Sequence, residues 1–357
     1  MINPESGSIL VLKNTAIWQR EKMSKIFIPQ NYRSPLGLYK TQRAISFIKQ
    51  GFQKAISKKL DLLRVSAPLF VKEGSGLNDD LNGYERAVSF DIPDAEISGQ
   101  VVHSLAKWKR MALLEYGFPT YGGLYTDMNA IRRDEELDNT HSIYVDQWDW
   151  ERIITESDRN REYLFGLVKN IVGAIIDVNR ALLSEFPELT VELCPEVTFI
   201  TSEELLRLYP DLSPEEREYR FVKEHKTVFI MQIGGKLSDG KPHGGRAPDY
   251  DDWSLNGDII FYHETLDLAL EISSMGIRVD REALLSQLRE RGLEERKNLP
   301  FHKRLLEGEL PLTVGGGIGQ SRLCMLLLGT AHIGEVQSSI WDEETVRVCR
   351  ERGVHLL

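Results

Sequence analysis

The sequence predicts a single α+β domain, because helix-like and strand-like patterns follow one another without a linker or an internal repeat. Two long segments carry apolar residues at intervals of three and four, the spacing of one helix face. Several short, partly β-branched runs have the length of buried strands. In the later half of the chain these runs are joined by short connections, which favours the α+β class.

The first elements can be assigned in chain order. One helix face is formed by Ile45, Ile48, Phe52, Ile56 and Leu60. A strand is predicted over residues 62–68 and ends at Pro68, which cannot donate to a sheet. A second helix is predicted over residues 159–186. Further helices are predicted to start at Ser202 and Ser213, where a capping side chain precedes acidic residues.

The remaining elements divide the chain into three parts. Buried strands are predicted over residues 227–233 and 258–262, and a last helix is predicted to follow Gly319. The expected parts are an N-terminal extension (1–39), a catalytic domain (40–341) and a C-terminal tail (342–357). Residues 1–22 are expected to be a disordered tail or to precede the true start at Met23.

Composition limits the function classes. The 357 residues are 41% hydrophobic and 27% charged, as in ordinary globular proteins. The net charge of −10 disfavours nucleic-acid binding but permits a nucleotide pocket. The scattered cysteines Cys194, Cys324 and Cys349 give neither a disulfide framework nor a zinc site. Neither a membrane-spanning stretch nor a signal peptide is apparent, so a cytoplasmic protein without membrane contact is expected.

Two polar segments could face a ligand. In residues 101–110 a serine and two lysines lie near Trp108, which fits either a ligand site or a solvated helix with a buried tryptophan. In residues 144–151, strand alternation puts Val145, Gln147 and Asp149 on one face. That polar face either meets a ligand or belongs to an edge strand with one solvated side.

A glycine-rich and acidic loop covers residues 234–253 and lacks the spacing of a phosphate-binding P-loop. Its aspartates suit metal or amine recognition, or form a plain acidic surface. Further along, Asp258 and Glu271 are predicted on adjacent strands, with Arg278 close by. Two carboxylates and an arginine fit a magnesium–phosphate site.

The run from Gly315 to Gly319 precedes an apolar helix. Glycines permit a close approach of the backbone to a ligand. A helix N-terminus favours anions, and Arg322 lies in the first turn. A flexible turn without a ligand is the alternative.

Taken in order, these segments resemble the three motifs of class II aminoacyl-tRNA synthetases. Residues 43–68 resemble motif 1, which forms the dimer interface in that family. Residues 132–151 resemble motif 2, whose arginine binds the α-phosphate of ATP. Residues 315–322 resemble motif 3, whose arginine lies against ATP. The resemblance therefore implies a mainly antiparallel sheet flanked by helices, and a homodimer.

A closer resemblance covers residues 40–341 and rests on long strings. HSLAKWKR, YVDQWDWER, GGKLSDG, RAPDYDDWS, LNGDI, SSMGIRV and GGGIGQSRL are similar to strings of the asparagine synthetase A family. That family ligates ammonia to L-aspartate with ATP and Mg²⁺, through a β-aspartyl-adenylate, and releases AMP and pyrophosphate.

This resemblance implies a set of site residues. Those implied for ATP are Arg132, Asp134, Glu135, Glu271, Arg278 and Arg322. Those implied for Mg²⁺ are Asp258 and Glu271. Those implied for aspartate are Asp79, Ser104, Lys109, Gln147, Asp149, Asp251 and Ser274. Those implied in catalysis are Asp79, Arg132 and Arg322.

Two positions depart from the synthetase pattern. Val145 stands where many tRNA synthetases carry an aromatic residue against adenine. Asp134 corresponds to the motif 2 glutamate, with Glu135 next to it, and which of them faces adenine stays open.

The nitrogen donor is expected to be free ammonia, because no cysteine has the setting of a glutaminase. Ammonium must then be bound and deprotonated, and a carboxylate suits both tasks. Asp79, in the glycine-flanked loop 74–83, is the candidate base. Asp80 could serve instead, or the pair could only order the loop.

The rival function is that of an aspartyl- or asparaginyl-tRNA synthetase. Only about 40 residues precede the motif 1 segment, too few for an anticodon-binding barrel. The expected partners are therefore aspartate, ammonia, ATP and a second copy of the chain, without nucleic acid.

Overall fold

The computed structural model describes residues 25–79, 81 and 85–357, so the expectation for residues 1–22 lies outside the described residues. The α-helices are α1 (Leu38–Leu60), α2 (Ala106–Glu115), α3 (Arg161–Glu185), α4 (Ser202–Leu208), α5 (Pro214–His225), α6 (Arg281–Arg291), α7 (Pro300–Leu306), α8 (Gln320–Leu328) and α9 (Glu343–Glu351). The strands are β1 (Leu62–Arg64), β2 (Phe70–Lys72), β3 (Ser89–Ile92), β4 (Ile97–Val101), β5 (Gly123–Ile131), β6 (Tyr144–Ile153), β7 (Thr198–Thr201), β8 (Thr227–Met231), β9 (Asp251–His263), β10 (Leu268–Arg278) and β11 (Thr313–Gly319).

Eight of these strands form one sheet in the order β1-β5-β6-β11-β10-β9-β8-β7. The inner pairs are antiparallel, and only the outer pairs β1–β5 and β7–β8 are parallel. A small antiparallel sheet has the order β2-β4-β3. The architecture is α+β, and this prediction is confirmed.

One face of the large sheet is apolar and packs against helices. Trp148, Ile259, Met275 and Ile318 project from this face into the largest core cluster, which they share with residues of α1, α3 and α8. Side chains alternate between the two faces of a strand, so the intervening residues of β6, β9 and β10 project to the other face. That other face carries a second apolar cluster over β8 and β9 and polar side chains near β6 and β11, where the candidate site lies.

The two long helices, α1 and α3, are explained by local features of the sequence. Every third or fourth residue of α1 is buried, and α1 lies along α3, with Lys59 Nζ 3.0 Å from Asp177 Oδ2. The side chain of Asn160 caps α3 by accepting from the Tyr163 amide. Both helices agree with the predicted periodicity.

Two expectations need correction. The predicted strand over 62–68 pairs with β5 only as far as Arg64 and leaves the sheet before Pro68. The helix after Gly319 is followed by another, α9, so it is not the last helix. Cys349 of α9 lies in the same core cluster as Ile28 from the N-terminal segment. Both flanks of the predicted catalytic domain therefore pack into its main core.

Candidate active site

A cavity of about 320 Å³ lies over the polar face of β6, β10 and β11. Tyr144, Val145 and Gln147 line it from the β6 side, and Gly245 and Tyr250 line it from the loop before β9. Of the residues that the sequence predicted, those lining the cavity are Arg132, Glu135, Gln147, Glu271, Ser274 and Arg322.

The floor of the cavity depends on glycines in β11. Gly317 pairs with Asp149 across the sheet, and Gly319 pairs with Gln147. A Cβ on Gly317 would lie 2.4 Å from Gln147 Oε1 and 2.9 Å from Asp149 Oδ1, so only glycine leaves room for both polar groups. The glycine run that precedes the predicted helix is strand β11 rather than a flexible turn, and it makes space for side chains of the next strand.

The expected anion site at the start of α8 is already filled by the protein. Ser321 N donates to Asp146 Oδ1 at 3.1 Å, so a carboxylate satisfies this amide. Lys49 Nζ of α1 contacts Asp146 Oδ2 at 3.0 Å. Arg322 remains in the cavity wall, but the helix start itself binds the protein's own carboxylate.

A buried charge network lies behind the floor. Arg278 donates from Nε and Nη2 to Glu151 and from Nη1 to Asp251. Lys109 Nζ lies 3.2 Å from Asp149 Oδ2 and donates to the Gly316 carbonyl at 3.1 Å. These five charged side chains are at most 3% exposed. Such buried charges require mutual compensation, and here they hold β6, β9, β10 and α2 together.

The pKa values of this network reflect burial and charge in competition. Burial lowers the pKa of Lys109 and raises that of Asp251. For Glu151 burial acts upward, but the adjacent Arg278 guanidinium outweighs it and holds the pKa of Glu151 below its ordinary value.

This network changes the interpretation of Arg278. The sequence assigned it to ATP, but the structure buries it in ion pairs outside the cavity wall. The physical reason is its place in the sheet, where Arg278 pairs with Asp251. Lys109 and Asp251 likewise stand behind the floor and do not line the cavity.

The two acidic residues of motif 2, Asp134 and Glu135, have different surroundings. Glu135 lines the cavity, and its Oε2 lies 3.9 Å from Arg132 Nη1. Asp134 instead accepts hydrogen bonds from Arg86, and these hold its pKa well below the usual range. Of the two, only Glu135 faces the cavity.

Asp79 and Ser104 form a pair beside the cavity. Ser104 Oγ donates to Asp79 Oδ2 at 3.1 Å, and Asp79 Oδ1 accepts from the amide of Leu81, which lines the cavity. Asp79 is only 3% exposed. Asp80, its alternative, lies outside the described residues.

Asp258 and Glu271 lie on one face because the ladder between β9 and β10 is irregular. Asp258 pairs with Ser274 and Ile260 pairs with Glu271, and the register shifts between Glu271 and Ser273. Burial raises the pKa of Asp258 to about 7; the adjacent Arg246 guanidinium opposes this shift, and the charge of Glu271 adds to it. Within the described residues, no three His, Cys, Asp or Glu side chains lie together so that they could hold a metal ion.

These two carboxylates nevertheless fit magnesium. Asp258 Oδ1 is buried and has no hydrogen-bond partner among the described residues, whereas Glu271 opens to the cavity. Mg²⁺ in nucleotide sites is typically held by one or two carboxylates together with substrate phosphates and water. A three-residue cage is therefore not required.

Two residues of the site, His141 and Arg246, had no predicted role. His141 Nε2 accepts from Arg322 Nη2 at 2.9 Å, while its Nδ1 lies 2.9 Å from Asp138 Oδ1. Against the effect of burial, the hydrogen bond with His141 lowers the pKa of Asp138 to about 2. Arg246, the second residue, is hydrogen-bonded to Asp258. The only sequence signal for either was its position beside a polar motif.

The fold defines the class of protein. Asparaginyl-tRNA synthetase from Entamoeba histolytica, in complex with asparaginyl-adenylate, matches with a TM-score of 0.59 at 13% identity, over 94% of this chain and 71% of that chain. The Pyrococcus horikoshii asparaginyl-tRNA synthetase, also complexed with asparaginyl-adenylate, matches with a TM-score of 0.59 at 15% identity, over 83% and 68%. The domain therefore has the fold of the class II aminoacyl-tRNA synthetase catalytic core, as predicted.

Another group of proteins is much more similar to this chain in sequence than these synthetases are. The family model described as aspartate–ammonia ligase matches residues 39–353. An aspartate–ammonia ligase of Clostridium perfringens is 57% identical over 94% of this chain and 100% of its own length. One of Lactobacillus johnsonii is 57% identical over 93% and 99%. This chain belongs to the aspartate–ammonia ligase family, so the predicted family is confirmed.

Proposed function

We propose that this protein makes L-asparagine from L-aspartate and ammonia, at the expense of ATP, through a β-aspartyl-adenylate. The ligation follows from the family, since relatives at 57% identity over almost the whole chain are aspartate–ammonia ligases. The adenylate route, the residue roles, the metal and the assembly are the finer parts of the proposal. The adenylate route, the residue roles and the metal are supported by the cavity, which brings three arginines and acidic groups together over the β11 glycines.

In the first step, a β-carboxylate oxygen of aspartate attacks the α-phosphorus of ATP and pyrophosphate leaves. Arg132 and Arg322, the predicted phosphate ligands, both line the cavity and supply positive charge. His141 and the backbone carbonyl of Glu271 hold Arg322 by hydrogen bonds, so its guanidinium is oriented before ATP arrives. Magnesium held by Asp258 and Glu271 would neutralise charge on the phosphates.

We assign the substrate aspartate to the floor of the cavity, next to the β11 glycines. Gln147 and Ser274 line the cavity, and Asp149 stands next to them. Asp149 Oδ1 has no hydrogen-bond partner among the described residues, although Lys109 holds the other oxygen. The α-ammonium group of aspartate is a suitable donor for it. Ser104, Lys109 and Asp251 then position the floor.

In the second step, ammonia attacks the acyl carbon of the adenylate and AMP leaves. We assign the binding and deprotonation of ammonium to Asp79, which lies beside Leu81 of the cavity wall. The Asp79 carboxylate is oriented by Ser104 Oγ and by the Leu81 amide. Asp80 is the alternative base.

We propose a homodimer through residues 43–68. Leu63 of this segment is 62% exposed, and the apolar side chains of Tyr39, Leu69 and Phe70 on its flanks are exposed as well. An obligate dimer interface buries on the order of 2,000 Å² or more, so a second copy of the segment is the expected partner. A monomer at micromolar concentration in analytical sedimentation would refute the assembly.

We place the protein in the cytoplasm, where its proposed substrates occur and where the free cysteines at 194, 324 and 349 stay reduced. In the described part of the chain, no helix is long and apolar enough to cross a membrane.

The test is formation of AMP and asparagine from ATP, aspartate and ammonium, with and without tRNA. We expect equal yields in both arms, and aminoacylated tRNA would favour the rival synthetase. Arg132→Ala and Glu271→Ala should each slow aspartate-dependent exchange of pyrophosphate into ATP by about 10²–10³-fold. Near-normal exchange in both variants would mean that the nucleotide site lies elsewhere.

A further inference from the structure

Arg246 occupies one oxygen of the carboxylate that is expected to hold the metal. Its Nη2 donates to Asp258 Oδ2. Both side chains are largely buried, at 16% and 8% exposure, and Arg246 also lines the cavity. The ion pair is therefore at the border between the sheet and the space assigned to ATP.

Arg246 and Arg278 differ in how firmly they are held. All three nitrogens of the Arg278 guanidinium donate to carboxylates. Arg246 has a single carboxylate partner, donates from Nη1 to the neighbouring Gly245 carbonyl, and leaves a buried Nε without a hydrogen-bond partner among the described residues. Arg278 is fixed, whereas Arg246, a residue of the cavity wall, has unsatisfied donor capacity.

The Arg246 guanidinium and a divalent cation would compete for the Asp258 carboxylate, because both are positively charged. The carboxylate is buried near a second carboxylate, Glu271, so its ionised form requires a positive partner. A metal ion and the Arg246 guanidinium on the same carboxylate would repel each other in a poorly solvated site. Triphosphate oxygens, by contrast, are strong acceptors for an arginine.

We propose that, in the absence of nucleotide, Arg246 occupies the position on Asp258 that a divalent cation takes when ATP is bound. Without nucleotide it neutralises Asp258 and keeps metal out. When the ATP phosphates enter the cavity, Arg246 moves to them and Asp258 becomes a metal ligand, with Glu271 as its partner. The metal site thus assembles only with nucleotide present. This inference rests on the proposed magnesium–ATP site.

The test measures Mn²⁺ binding by electron paramagnetic resonance, with and without α,β-methylene-ATP. Arg246→Gln removes the charge but keeps a hydrogen-bond donor for Asp258. Without nucleotide, we expect it to bind Mn²⁺ at least about tenfold more tightly than wild type. The basis is that one adjacent opposite charge changes the affinity of a carboxylate for a proton by about 10–10³-fold.

Two controls isolate the effect. Arg132→Ala removes a cavity arginine whose ion-pair partner is Glu135, so its nucleotide-free Mn²⁺ affinity should equal that of wild type. Arg246→Lys retains a charge and should still exclude the metal. Adding Asp258→Asn to Arg246→Gln should abolish the gain.

The outcomes separate the two hypotheses. If Arg246→Gln binds Mn²⁺ no better than wild type without nucleotide, while Asp258→Asn still weakens binding in the nucleotide complex, only the exchange is wrong. If Asp258→Asn does not change Mn²⁺ affinity in either state, the assignment of the metal site is wrong, and so is the proposed exchange. Crystal structures of the wild type, with and without the analogue and Mn²⁺, make the same test without a variant. Arg246 still on Asp258 beside a bound metal would overturn the proposal.

Discussion

Replacing Gly317 by alanine tests whether the β11 glycines shape the aspartate site. The new Cβ would lie 2.4 Å from Gln147 Oε1 and 2.9 Å from Asp149 Oδ1. Carbon and oxygen atoms do not approach so closely, so at least one side chain must shift. Gln147 can rotate its amide away, whereas Asp149 is held by Lys109 and by the Leu105 amide at 3.3 Å. We expect the fold to survive and the floor to be displaced.

The magnitudes differ between stability and activity. Overpacking of this kind costs about 1–3 kcal/mol of unfolding free energy, less where a flexible side chain can move. A displacement of about 1 Å in a substrate contact can cost about 100-fold in rate. We therefore expect activity to fall far more than stability.

Gly315→Ala is the matched control on the same strand. Its Cβ would lie 2.0 Å from Glu151 Oε2 and 2.6 Å from the Trp150 carbonyl oxygen, so it breaks the buried ion pair with Arg278. Losing one partner of such a pair costs about 3–5 kcal/mol, and this variant should be destabilised throughout.

The assays are urea unfolding and aspartate-dependent pyrophosphate exchange at several aspartate concentrations. A folded Gly317→Ala enzyme with wild-type KM for aspartate and wild-type exchange rate would refute the assignment of the Gln147–Asp149 face to the substrate.

Three further variants address other parts of the structure. Glu151→Gln leaves Arg278 under-compensated and should lower the unfolding free energy by about 3–5 kcal/mol; an unchanged urea midpoint would contradict this. Burial lowers the pKa of His263 and of His332 to about 4, against an unfolded value of 6.5. The unfolded state thus binds more protons between these values, so the contribution of each histidine to stability should be constant above pH 6.5 and fall by up to about 3 kcal/mol as pH drops to 4. Asp258, whose pKa is raised, acts in the opposite direction over this range. Urea unfolding of wild type and of a variant with both histidines replaced by glutamine isolates the histidine slope as the difference between the two curves. Asp79→Asn should keep pyrophosphate exchange but lose asparagine synthesis, and equal loss of both steps would make Asp79 a substrate ligand rather than the base.

Patterns of short range predicted the fold well. The helix faces of α1 and α3 follow from spacing along one segment, and the chain alone determines such spacing. The same holds for β6, where alternation correctly placed Gln147 and Asp149 on one side of the sheet.

Features that depend on pairing between distant strands were not predictable. Whether Arg278 reaches the cavity depends on its pairing with Asp251, and Glu271 joins the face of Asp258 only because the ladder shifts after it. Arg246 is 12 residues from Asp258 in sequence, and no periodicity connects a loop arginine to a strand carboxylate. Sequence therefore named the charged residues but could not distinguish structural from ligand-facing roles.

Unsatisfied hydrogen-bonding groups make that distinction. A buried polar atom without a partner costs about 1–3 kcal/mol, so folded proteins keep few of them. In the described part of this chain they include Asp149 Oδ1, Asp258 Oδ1, Arg246 Nε and Arg132 Nε, all from residues in or beside the cavity wall. The Arg278 guanidinium, behind the floor, leaves no nitrogen unpaired. The satisfied Arg278 holds the strands together, and we propose that an ammonium group, a metal ion and phosphates complete these four atoms.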